Sequence, residues 1–308
     1  MSKPSMRFPI AILVLMTATP LLAVASIDGS FERSYTVTGA VELEVLTRSG
    51  DISVRSGPAG TITVRGKIHV GDHWFTGTRQ GDVNEIEKNP PITQNGNSIH
   101  IDYLNYHDIS IDYEITAPAD TSVQTHSGSG DQRMEGLSGK LNLESGSGDM
   151  RLRESSGEVH IHTGSGDVDA HDISAAFDIE CGSGDVRVEA NGGSGDARVR
   201  TGSGNIELRG VSGALQVESG SGDLTISGTQ TAAWDIRTSS GDVELQLQQG
   251  AAFDLNATAG SGNVTVDGPI TMTVQGDLRK ARHSIHGQVG GGGPLMTVRT
   301  GSGDVHIH

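Results

Sequence analysis

The 308-residue chain is poor in aromatic residues, at 4%, and carries a single cysteine. So few aromatics do not suit the wide core of a large globular enzyme. An apolar content of 34% does not suit a helical bundle. With Cys181 as the only thiol there is no internal disulfide, so packing and backbone ladders must hold the fold. Basic residues are also scarce, 22 against 38 acids. The formal charge of −16 repels phosphate backbones and argues against nucleic acid and against direct binding to anionic lipid. Glycine, in contrast, is abundant at 44 residues. The glycines have no three-residue period, which excludes collagen. The apolar residues are strictly periodic, which indicates order rather than a disordered, polar chain.

The N-terminus reads "MSKPSMRFPIAILVLMTATPLLAVASIDGS". Lys3 and Arg7 form a positive region, residues 10–22 are mostly apolar, and Ala23-Val24-Ala25 supplies small residues before Ser26. This is the pattern of a secretory signal peptide over residues 1–25. The apolar run is short for a membrane-spanning helix, which needs roughly 20 residues. No Cys at the cleavage point provides for lipidation. Removal of the segment leaves a chain near −18, with no second membrane-spanning run. The expected location is therefore exported: periplasmic, cell-surface or extracellular.

The remainder is built on a repeat. The residues after successive Ser-Gly positions, Asp131, Lys140, Asp149, Glu158 and Asp167, fall nine apart, and the beat passes through Ala176 to Asp185. "NGGSGDA" inserts two residues before Asp196; Asn205, Ala214 and Asp223 resume the spacing. After each marker comes an apolar, variable, apolar triplet, such as Val168/Ala170, Val186/Val188 and Ile206/Leu208. Units without the phrase keep it, as in Phe177/Ile179, Trp234/Ile236 and Phe253/Leu255. A period of two means a strand with one buried face, leaving Arg187, Glu207, Gln216 and Thr225 to solvent. Ser-Gly-Asp and Ser-Gly-Asn supply turn chemistry. Structural turns are therefore expected at Asp51, Asp131, Asp149, Asp167, Asp185, Asp196, Asn205, Asp223, Asp242, Asn263 and Asp304.

A nine-residue strand and turn cannot bury its own apolar face, but stacked copies can. The expected fold class is all-β: a single-stranded parallel β-solenoid of about 18 residues per coil, right-handed by strand chirality. Coils would rise about 4.8 Å each. The alternative, a Greek-key sandwich, does not require so constant a unit. Residues 26–121 read as a less regular N-terminal β region with an excursion over 71–99. Within it, 82–88 form a short helix halted by Pro90 and Pro91. Residues 122–308 read as the regular repeat, continuous with that region and interrupted by a loop at 279–294.

The segment "SGDISV" at 49–54, "ISIDYEITAP" at 109–118, the Ser-Gly-Asp ladder and "LMTVRTGSGDVHIH" occur in this order. In these features the chain resembles the bacterial putative-adhesin domain family, a β-helix-like repeat family of unknown function. The resemblance covers essentially the whole mature chain. It implies a β-solenoid on the extracytoplasmic side and brings no catalytic motif.

Three chemistries compete for the polar residues. Calcium is the first, because repeats-in-toxin proteins also use nine-residue units, with the pattern G-G-x-G-x-D-x-U-x. Here Asp directly follows Gly, a different register, and Lys140, Ala176 and Ala214 replace the acid on alternate units. Stacked Asp149, Asp167 and Asp185 are nonetheless calcium candidates, since like charges about 5 Å apart need bonding or a bridging cation. Backbone N–H bonds in each turn are the simpler account. A transition metal is the second chemistry. His160 with His162, and His306 with His308, each share one face of a strand, although no zinc motif accompanies them. Enzymatic glycan chemistry is the third, because β-helix lyases and hydrolases exist. Every Asp here has a turn explanation, and "GSG" precedes strands rather than helices. Cys181 reads as a passive structural thiol.

The function these residues favour is non-catalytic: adhesin-like binding or scaffolding at the cell envelope, with an envelope protein or glycan as partner. A calcium-stabilised repeat protein and an envelope glycan-active enzyme are the alternatives. No catalytic residue or cofactor other than calcium is indicated. The last repeat lacks an obvious polar cap, so its edge is expected either to pair with another copy or to be covered by the 279–294 loop.

Overall fold

The computed structural model describes residues 28–71, 79–106, 108–191, 195–267, 270–272 and 283–308. The expected signal peptide lies outside these residues, as do parts of the two irregular loops. The described chain is all-β, with one short helix.

Alternation builds each strand. In Val159–Ser165, Val159, Ile161 and Thr163 are buried while His160 and His162 face outward. Such a strand cannot bury one face alone, and neighbours supply the cover. Leu141–Ser147 lies parallel between Ser122–Ser129 and Val159–Ser165, placing Leu141 opposite both Val123 and Val159. The row continues through Phe177–Ser183, Ala197–Ser203, the second half of Ile206–Ser221 and the second half of Leu224–Ser240. A second parallel row runs through Gln132–Glu135, Met150–Ser155, Val168–Ile173 and Val186–Ala190. It passes through the first halves of the same two long strands to Val243–Leu247. The rows enclose a solenoid-like core that is continuous from Phe31 to Ile307. Partners differ by 18 in number through most of the stack. The step becomes 20 at Phe177 and Ala197, where the two-residue insertion falls. Ala197 opposite Phe177 balances a large side chain with a small one.

At both ends the spatial order departs from the chain order. Glu42–Ser49 stands between Ser98–Ile101 and Ser122–Ser129, and Ile52–Gly57 between Ile109–Pro118 and Gln132–Glu135. The coil that comes first in sequence is thus second in space. Likewise Leu295–Ser302 stands between Leu224–Ser240 and Phe253–Ser261, and Val305–Ile307 between Val243–Leu247 and Val264–Val266. The final repeat was expected to expose an edge. Both of its edges are instead paired within the chain. The physical reason is that every repeat carries the same strand code, so periodicity does not dictate which coil is outermost. An inner position gives the inserted strands hydrogen bonds on two sides rather than one.

Antiparallel strands cover the outermost coils. Thr61–Val70 pairs with Ile109–Pro118, and Gly29–Thr36 pairs with Thr61–Val70. The helix, Gln80–Lys88, buries Val83 and Ile86 against this end, and the Glu87 carboxylate accepts the Ser30 N–H. The Arg33 guanidinium donates to the Glu87 and Lys88 carbonyls, placing a cation at the helix C-terminus. At the other end Ser284–Val289 pairs with Phe253–Ser261. The loop expected to cover the last repeat therefore covers the coil before it.

Candidate interaction surface

Each Ser-Gly-Asp corner is a tight bend that needs glycine. Gly166 has φ of +133°, and a Cβ there would lie 2.2 Å from the Gly148 carbonyl oxygen of the neighbouring coil. Only a bare backbone fits both the angle and the approach.

The Asp that follows joins the coils. Asp149 Oδ1 accepts the Asp167 N–H at 3.0 Å, and Asp167 Oδ1 accepts the Asp185 N–H at 2.9 Å. The same bond runs in one direction along the whole stack. Successive N–H groups of Asp51, Asp131, Asp149, Asp167, Asp185, Asn205, Asp223, Asp242, Asp304 and Asn263 each donate to the carboxyl or amide oxygen of the neighbour before it. The first acceptor is Asp112. The ladder passes through both inverted coils in their spatial order. Asp196 stands apart from it, at the opposite corner of its coil, where its Oδ1 accepts the Ala214 N–H.

This placement bears on calcium. Asp149, Asp167 and Asp185 are stacked neighbours, but each commits Oδ1 to a backbone N–H. Arg151 bridges the other oxygens of Asp131 and Asp149 at 3.0 and 2.8 Å, and these contacts hold the guanidinium firmly protonated. Among the described residues no group of three or more His, Cys, Asp or Glu side chains converges as a metal site would. Three of the four histidines meet separate carboxylates. His160 meets Glu158 at 3.1 Å, His162 meets Glu180 at 3.5 Å, and His308 meets Asp267 at 2.8 Å. The His306 and His308 rings stack at 6.3 Å.

Cys181 occupies a buried small-residue position just before a corner, between Thr163 and Thr201 on the flanking coils. Thr163 and Thr201 each bond the carbonyl two residues on, at Ser165 and Ser203. The longer-reaching thiol instead lies 3.8 Å from the Gly184 carbonyl, one residue further on, and 3.5 Å from that of Gly166. Burial pushes its pKa up, opposite to the shift that activates a nucleophile.

The outer face of the first row carries the charge. One line of outward positions reads His126, Glu144, His162, Glu180, Arg200, Glu218 and Arg237 on consecutive strands. Its signs alternate when the imidazoles are protonated. Arg200 lies 2.8 Å from Glu180 and 3.5 Å from Glu218, and the Glu180 bond raises the guanidinium pKa. A groove of about 720 Å³ follows this line from His162 to Ser239. On the second row Arg187 bonds Glu207 at 2.8 Å and depresses its carboxyl pKa. The sequence signalled each charge as outward-facing, but the alignment into a line needs the coil register.

The sequence profile of one family matches residues 25–192 and again 154–308, so it spans both halves of the stack. The chain belongs to the Toastrack DUF4097 family. This is a family of unknown function, in accord with the resemblance drawn from the repeat. No curated protein matches this Toastrack chain. A solved structure of a putative adhesin from Bacteroides fragilis is similar over 91% of this chain and 97% of its own. It shares 11% identity, with a TM-score of 0.41. A putative cell adhesion protein from Clostridium sporogenes is similar over 90% and 98%, with 12% identity and a TM-score of 0.24. Among the described residues of this Toastrack protein, no helix is long and apolar enough to cross a membrane.

Proposed function

We propose that the protein is an exported, non-catalytic scaffold of the cell envelope, wound as a right-handed solenoid of 18-residue coils. Its partner is an envelope protein or glycan, held on the outer face of the first strand row. The observation that carries this reading is the groove running along His162, Glu180, Arg200, Glu218 and Arg237. It is an extended polar face at one fixed spacing, shaped for a long partner rather than a small substrate. Acids and bases within it neutralise one another, so recognition rests on hydrogen bonding and shape more than on net attraction.

The test uses the mature chain immobilised and challenged with envelope fractions and purified envelope polysaccharides. The same is done with Arg200→Glu, which reverses the central charge on a half-buried, outward-facing position. Retention of a defined protein or glycan by the native chain, and its loss by the variant with an unchanged melting curve, is the expected result. Equal retention by both chains overturns the placement of the surface. Shortening of a bound polysaccharide overturns the non-catalytic reading. Calcium and chelator arms are run together; a melting temperature that rises with calcium transfers the role to the corner carboxylates.

A further inference from the structure

We infer that the last repeat, residues 295–308, is an exchangeable strand pair whose slot also accepts the same segment of a second copy of this chain. The slot is a complete one. Met296, Val298, Val305 and Ile307 are buried, and the strands pair in parallel on both sides. Corner bonds tie the segment in: Asp304 N–H donates to Asp242, and Asn263 N–H donates to Asp304. All of these contacts use the backbone or the generic repeat code, so they are satisfied equally well by residues 295–308 of any copy.

Two observations make exchange rather than permanent insertion the expected behaviour. The first is the attachment. The connection that leads into the segment, 290–294, reads Gly-Gly-Gly-Gly-Pro. Gly290, Gly291 and Gly292 all have positive φ. The connection crosses over the start of Phe253–Ser261, from Val289 opposite Phe253 on one side to Leu295 opposite Asp254 on the other. Swinging it outward costs the bonds that the Pro294 carbonyl accepts from the Asp254 N–H and the Gln230 side chain. The second observation is a mismatch. The line of alternating charge ends at the inserted strand, where Arg299 lies directly beside Arg237, with Thr258 on its other side. Like charges directly opposite are destabilising in a sheet. Among the described residues no carboxylate pairs with Arg299.

Exchange through a hinge gives a closed, two-fold dimer in which each copy fills its partner's slot. The test is a disulfide across that slot, in full-length chains carrying Cys181→Thr. Arg237 and Arg299 are lateral neighbours about 4.8 Å apart, within the range a disulfide spans. A chain with both Arg237→Cys and Arg299→Cys is expected to close internally on oxidation. Chains carrying one substitution each are mixed, warmed below the melting transition and oxidised. The expected product is a covalent dimer of one chain of each kind, absent when either is oxidised alone. A second variant deletes 290–293. The remaining Pro294 lets Val289 and Leu295 separate by only about 7 Å, against two strand spacings of roughly 9.6 Å. Insertion within one chain is then blocked while Ser284–Val289 stays paired, and the dimer fraction is expected to rise severalfold by light scattering. Internal closure of the double variant, with the mixture and the deletion both remaining monomeric, overturns the inference.

Discussion

At one end of the stack residues 42–57 sit inside the coil 98–118; at the other, 295–308 sit inside 253–266. The manoeuvre is the same, but its fastening differs. The N-terminal insert is tied on both sides, because Gly29–Thr36 precedes it and Thr61–Val70 follows it, and these two strands pair with each other. Ion pairs reinforce that cover, Arg65 with Glu32 and Lys67 with Glu114 at 2.8 and 2.5 Å, together with a His69 to Asp112 hydrogen bond at 2.9 Å. The C-terminal insert is entered through a glycine-rich connection, 290–294. Among the described residues, the cover over its neighbour is tied by a Gln288 to Asp254 hydrogen bond and by no ion pair. Equivalent backbone pairing is thus reached through different connections at the two ends.

The largest effect expected from this difference is at the corner glycines. A Cβ at Gly50 would lie 2.3 Å from the Ile111 carbonyl oxygen, and one at Gly303 2.2 Å from that of Gly241. Gly50→Val is expected to abolish the cooperative fold. Gly303→Val should release 295–308 and leave the rest standing. Circular dichroism melts combined with limited proteolysis separate the two outcomes, and identical behaviour of the variants would erase the proposed asymmetry.

Hydrogen exchange measures the same contrast in the native chain. Amides of Met296, Val298 and Thr300 should exchange at least about tenfold faster than those of Leu43, Val45 and Thr47. Uniform protection at both ends would contradict a loosely held insert.

Acid sharpens the comparison from the other side. The Lys67 ammonium bonded to Glu114 holds that carboxyl below its ordinary value of 4.5. A depressed folded-state pKa stabilises above the unfolded value, and this stabilisation is lost as pH falls through the folded value. Protection of Thr61–Val70 amides should therefore decline on acidification below about pH 4.5, and Glu114→Gln should remove that part of the decline. The effect is small because the pair is exposed. A variant with the same acid profile as the native chain would remove Glu114 from the account.

Cys181, buried in the regular middle, serves as the internal reference. Its raised pKa and burial predict that a thiol reagent labels it only at the rate of global unfolding, well after the C-terminal segment opens. Labelling as fast as 295–308 exchanges would show that the middle opens too. Cys181→Thr, matching Thr163 and Thr201, should change stability by less than about 1 kcal/mol.

Much of the wall and corner architecture was legible in the sequence, because apolar alternation and the Ser-Gly-Asp phrase each have a local physical cause. Val159, Ile161, Val168 and Ala170 are buried as their period required. The helix expected at 82–88 spans Gln80–Lys88. Its start was hidden because Arg79 caps it with no side-chain hydrogen bond. The order of the coils was not legible, since repeats with one shared code stack equally well in any sequence. Asp112 was missed because it begins the ladder from "SIDYE", without Ser-Gly before it. Asp196 has the right phrase, but it falls on the alternate units with Lys140, Glu158, Ala176 and Ala214, which turn at the opposite corner. The charged line was invisible for a similar reason, because its members are separated by whole coils.

The one-way ladder of corner bonds has a consequence for length. Each rung receives one bond and gives one, so a whole coil such as residues 149–166 can be excised or duplicated and the chain of bonds closes again. Growth or shortening by eighteen residues changes the molecule in steps of about 4.8 Å and lets the corner ladder close again, although loss of His162 would set Glu144 opposite Glu180 in the charged line. The protein behaves as a counted stack, in which span is written in the number of copies rather than in the identity of any one of them.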